Sequence, residues 1–182
     1  MRTGASATWR KQGDARAFDP TAWEFQSRQF VSSAKLLVLK YEEGLASPTF
    51  DTIMAMVTAQ FLVALALELV SKAYFLRLKL GPSELIYTHQ VSKLCGEKLL
   101  NADQRALLGR AERYVVWAGR YPTPRWDKEH KREEYDVPSV FVDGQEHIDA
   151  TGLPNSSSPG EVAKLFELYE YIHRAHHNAA DA

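Results

Sequence analysis

Cys95 is the one thiol in the sequence, so neither a disulfide nor a thiolate metal site can be built within a single chain. A reducing cytoplasm is the compartment this cysteine usage fits. An excess of one charge is equally lacking, since 22 Lys and Arg stand against 23 Asp and Glu, a formal net charge of -1. No global field draws such a chain to nucleic acid or anionic lipid, and binding of that kind needs a local patch. The phosphate-cradling runs GxxxxGK[ST] and GxGxxG are missing, and no serine or cysteine stands in a nucleophile elbow. Internal repeats are missing too. The opening MRTGASATWRKQGDARAFDP has basic residues but not the apolar core of a signal peptide, and residues 1–18 read as a disordered tail.

What is present is helical periodicity. The 182 residues suit one domain with a sizeable core, running from 19 to 182. The first helix is expected from Asp19-Pro20, a cap and a first-turn proline, to about Glu43, with Trp23, Phe30, Ala34, Leu37 and Tyr41 as its apolar stripe. The second and longest should open at Ser47-Pro48 and run to Leu80, ahead of Gly81-Pro82. Its polar residues Gln60, Glu68, Ser71, Lys72 and Lys79 fall within roughly a third of the helical wheel. That arc faces water, a partner chain or a buried polar network, and the remainder must be packed.

The same helix raises the membrane question, because Ile53 to Val70 holds only Gln60 and Glu68 among apolar or small residues. A glutamate in mid-span costs a few kcal/mol in lipid, so a buried bundle helix is the simpler reading, and no membrane partner is expected. A short third helix is expected from Thr88 through Val91, Leu94 and Cys95. A fourth starts at Asn101, with Gln104 as its reciprocal cap, and ends at Gly119. The last opens with Ser158, Pro159 and Glu161.

The connection of about 120–157 is too long for a plain loop. A short charged helix from Thr123 to about Tyr135 and a hairpin around Asp143-Gly144, flanked by Val140 to Val142 and Gln145 to Ile148, are expected in it. The expected fold is therefore all-α. It is an up-and-down bundle of four to five main helices around one long central helix, with a small irregular or hairpin insertion before the last.

The run ALELVSKAYFL, the turn GPSELIY and then THQVSKLC resemble the HEPN superfamily of prokaryotic helical domains. There a glutamate and a lysine one turn apart on a long helix precede a short helix entered through a threonine-histidine pair. WAGRYPTP at the end of helix four is similar to one bacterial branch of that superfamily, and the likeness covers roughly Phe30 to Pro124. Many HEPN domains are metal-independent endoribonucleases, so the resemblance implies a dimerising bundle that binds or cleaves RNA without a cofactor. It also implies a place in a bacterial defence or toxin-antitoxin system, beside a cognate antitoxin or nucleotidyltransferase-type partner.

In the nuclease members an arginine holds the scissile phosphate and a histidine a few residues on moves the proton. Arg125 and His130 in RWDKEH match that spacing, with Lys72, His89 and Arg120 as RNA-binding candidates. Five residues on a helix separate two side chains by about 140°, so the pair converges on one phosphate only with a second chain's help. The alternative reading of this segment is a solvated charged loop.

Other readings compete at each position. Glu68 and Lys72 make an ordinary i,i+4 ion pair, His89 suits a capping role, and Arg120 can satisfy the terminal carbonyls of helix four. His173, His176 and His177 share one helical face, and such spacings bring two imidazoles to one metal. A structural zinc site needs further ligands, and Glu170 with His173 forms a Glu-x-x-His unit without a second copy. Histidine charges favourable to a frayed C-terminal helix are the reading adopted, with no metal expected. A non-catalytic helical interaction module is the alternative for the whole chain.

Overall fold

The computed structural model describes residues 17–47, 49–117, 139–142, 145–148 and 159–178. Most of the expected tail, the Gly119 terminus of helix four and the expected charged helix at 123–135 lie outside them. Ala17 and Phe18, which the sequence reading places in the tail, are docked. The Ala17 carbonyl accepts the Trp23 indole N–H at 2.8 Å, its side chain packs on Phe75, Ile86 and Leu94, and Phe18 meets Tyr87 edge to face.

Helix α1 spans Pro20–Gly44, and the Asp19 carboxylate accepts the Thr21 N–H at 2.9 Å. Its buried residues are Glu24, Ser27, Val31 and Ala34. The inner face thus lies one step round from the expected stripe, and Phe30 and Leu37 pack at its flank. Helix α2 spans Phe50–Leu78. Thr49 caps it rather than Ser47, because Thr49 and Thr52 each accept the other's backbone N–H at 3.3 Å and satisfy two orphan donors at once. Gly44 lets that cap form: a Cβ there would stand 2.5 Å from Thr52 Oγ1.

α2 also stops two residues earlier than expected. Lys79 adopts a left-handed φ of 51°, and the Lys79 and Leu80 N–H groups close back on the carbonyls of Leu76 and Phe75, the usual way of satisfying a C-terminus.

The short helix expected from Thr88 through Cys95 is present only as its core, one of three short pieces along this stretch. A 3₁₀ turn at Ser83–Tyr87 is followed by α3, Val91–Leu94, and α4, Gly96–Leu99. The Thr88 hydroxyl accepts the Gln90 N–H at 3.0 Å, which makes a side-chain turn instead of a helix start. Gly96 at φ 67° breaks the path between α3 and α4. Helix α5, Ala102–Trp117, opens on the expected Asn101/Gln104 reciprocal cap, at 3.0 and 2.9 Å. The expected hairpin is present as β1, Ser139–Val142, and β2, Gln145–Ile148, antiparallel with Ser139 opposite Ile148 and Val142 opposite Gln145. Helix α6 is Pro159–Asn178.

The long helices form an up-and-down, all-α bundle. Ser27 meets Tyr169 and Glu24 meets His176, so α6 runs antiparallel to α1. Tyr171 reaches the Leu99 carbonyl while Arg110 pairs with Glu161, so α5 runs antiparallel to α6. At the centre, Ala59, Val63, Ala66, Leu67, Val70 and Ala73 of α2 have no accessible surface. Each large apolar side chain so buried contributes about 1.5–3 kcal/mol, and the alanines let neighbouring backbones approach. α2 is long and apolar enough to cross a membrane by length and composition, and 61% of its most apolar stretch is buried inside the bundle.

Candidate functional site

Two polar clusters sit at the end of the bundle where α1 begins and α2 and α6 finish. The first is built on α2. Its polar arc is buried over most of its length, for Gln60, Glu68, Ser71 and Lys72 are all at most 5% exposed, while Lys79 lies at the surface. Lys72 Nζ donates to Glu68 Oε1 at 2.6 Å, the i,i+4 pair expected from the spacing. The same ammonium stands 5.1 Å from the centre of the Trp23 ring, a cation–π contact delivered by the first turns of α1.

His89 arrives from the turn after the 3₁₀ segment, and its Nδ1 lies 3.1 Å from both oxygens of Glu68. This replaces the expected capping role. An ionised carboxylate only accepts, so Nδ1 carries a proton, and in the neutral ring Nε2 is the basic nitrogen. Side-chain exposure separates the roles: Glu68 is 3% and Lys72 7% exposed, whereas His89 is 36%. His89 is the member that solvent or a ligand reaches. Lys72, an RNA-binding candidate, is held inside against Glu68 and Trp23.

The second cluster joins α1 to α6. Glu24, 8% exposed, receives three imidazoles on two oxygens. His173 Nε2 lies 3.2 Å and His177 Nε2 3.0 Å from Oε1, and His176 Nε2 is 3.2 Å from Oε2. His173 stacks on Tyr169, whose hydroxyl shares a hydrogen bond with Ser27. The last turns of α6 are therefore anchored and not frayed, and His176 is fully buried. Burial, then the charge of Arg77, holds His176 below its ordinary 6.5. Burial alone would raise Glu24, but the His173 hydrogen bond and the charges of His177 and His176 outweigh it and bring the carboxyl below its ordinary 4.5. Glu24 is the residue sequence reasoning missed. Its signal was its position three and seven residues ahead of Ser27 and Val31 on one helical face.

Cys95 is not a candidate nucleophile. It is buried, its thiol donates to Ser71 Oγ at 3.3 Å, and burial pushes it up to about 11. Arg120, Arg125 and His130 lie outside the described residues. Of the candidate residues, the structure thus brings Lys72 and His89 together through Glu68. No family model, curated protein or solved structure matches this chain.

Proposed function

We propose that this chain is a HEPN-like helical protein that binds or cleaves RNA as a homodimer. The observation that supports this reading is the His89 imidazole, oriented at Nδ1 by buried Glu68 and partly open to solvent. Glu68, Lys72 and His89 are the residues on which the resemblance rests. A carboxylate-oriented imidazole can hydrogen-bond a phosphate or ribose hydroxyl. Under this reading His89 and Arg120 contact the RNA, Lys72 holds Glu68 in place, and Arg125 and His130 of two copies act on one scissile phosphate without metal. A bacterial defence or toxin-antitoxin setting in the cytoplasm, with a cognate antitoxin or nucleotidyltransferase-type partner, fits such an activity.

The experiment is incubation of purified protein with total RNA in chelator, comparing wild type with His130→Ala and His89→Ala. Cleavage by wild type that His130→Ala abolishes supports the nuclease. Retarded but intact RNA, weakened by His89→Ala, supports binding alone. With neither cleavage nor retardation the RNA reading falls.

A second reading, a non-catalytic interaction module, is favoured by the outer face of α1. Phe25, Leu36 and Leu39 are 64%, 67% and 54% exposed. They fall within about 60° of one another on the helix, turned away from the buried face.

A further inference from the structure

The Glu24 cluster is more tightly converged than hydrogen bonding requires. Glu24 Oε1, His173 Nε2 and His177 Nε2 form a triangle with sides of 3.2, 3.0 and 3.3 Å. Two imidazole nitrogens are thus directed at one carboxylate oxygen and lie in contact with each other. Without an ion, either both Nε2 protons point at the same oxygen and crowd each other, or one ring turns a lone pair toward the triangle and loses its bond to the carboxylate. A cation above the triangle removes that conflict. Ligands about 2.0–2.1 Å from a tetrahedral zinc stand about 3.3 Å apart, which matches these edges.

We infer that Glu24, His173 and His177 form a binding site for a divalent transition metal of the zinc class, with the fourth position open to solvent. Histidine nitrogen and carboxylate oxygen are the ligand types such ions take, and two histidines with one glutamate plus an open position is a known catalytic zinc pattern. The spacing of four residues on α6 puts both imidazoles on one face. The surroundings are those of a built site. His176, with no accessible surface, donates to the other Glu24 oxygen and leaves Oε1 directed at the triangle. Tyr169 stacks on His173 and is itself tied to Ser27, whose hydroxyl donates to the Glu24 carbonyl at 2.7 Å. Supports of this kind orient metal ligands. His177 is half exposed, so an ion enters from that side. When it binds, the rings of His173 and His177 carry their protons on Nδ1 and give Nε2 to the metal. This site is independent of the RNA reading, which is tested in chelator.

The test is calorimetric titration of the chelator-stripped full chain with zinc chloride, and with cobalt(II) for its visible spectrum. One ion per chain, with a Kd of about 10 μM or tighter and cobalt bands of tetrahedral intensity, is the expected result. His177→Ala, at an exposed position that preserves helicity, should weaken binding at least about tenfold. It should also remove the zinc-induced rise in melting temperature seen in the wild type. Wild-type affinity no tighter than about 1 mM, or His177→Ala binding zinc as well as wild type, overturns the site.

Discussion

At the scale of single residues, the interior charges of α2 are held by one another. Lys72 and Glu68 are both nearly without solvent, and removing one partner of a buried pair strands the other at a cost of about 3–5 kcal/mol. Lys72→Met should therefore lower unfolding free energy by about 3 kcal/mol in urea titrations. Adding Glu68→Gln should restore part of the loss, because no unpaired charge then remains. A further loss of the same size in the double variant would show that the two residues do not act as a pair.

Cys95 gives an alkaline test. Its folded value of about 11 lies above the ordinary 9.0, so the unfolded chain releases this proton first as pH rises. Stability is intact below 9.0, falls between 9.0 and about 11, and levels off above that. The full effect is about 2–3 kcal/mol. Cys95→Ala should remove that share of the slope, read as a smaller drop in unfolding free energy between pH 8 and 10.5. An identical slope in both proteins would exclude the thiol as its source.

The i,i+4 spacing of Glu68 and Lys72 was legible in the sequence because their geometry is local. Glu24 was not, since its partner His173 is 149 residues away and no local pattern links them. A separation of 21 residues likewise hid the true place of His89, which is set by α2 and not by the helix it precedes.

At the scale of elements, the starts of α1 and α5 were legible because caps are chemical and adjacent: Asp19 before Pro20, and Asn101 with Gln104. The start of α2 was misplaced because Ser47-Pro48 carries the familiar signature, while the reciprocal Thr49/Thr52 cap closes two residues later. Its end was misplaced because a lysine, and not the nearby glycine, takes the left-handed residue. A non-glycine side chain there costs about 1 kcal/mol. Lys79→Gly should accordingly stabilise the protein by about 0.5–1 kcal/mol, seen as a melting point raised by about 2 °C. A lower melting point would mean that the lysine side chain makes a compensating contact.

At the scale of the whole molecule, the all-α bundle was legible because five periodic segments, the first four joined by short links, leave few other arrangements. The apolar side chains left outside on α1 were not, since a wheel counts residues and does not say which flank a neighbour covers. Phe25→Glu with Leu36→Glu should leave the fold intact by circular dichroism, both side chains being mostly exposed. If α1 carries the proposed homodimer, wild type sediments as a dimer and the double variant as a monomer. A wild-type monomer at tens of micromolar would remove that surface from consideration.

The carboxylate of Glu24 also bears on how α6 is positioned lengthwise. Apolar residues recur along α6 every three or four positions, so sliding it by one turn, about 5.4 Å, would still put grease against grease. Such a slip would leave at most one of His173 and His177, which are one turn apart, facing Glu24, would carry His176 off the other carboxylate oxygen and would part Tyr169 from Ser27. Polar groups at this seam therefore act as a ratchet tooth, selecting one alignment of the first and last helices where oily packing alone would tolerate several.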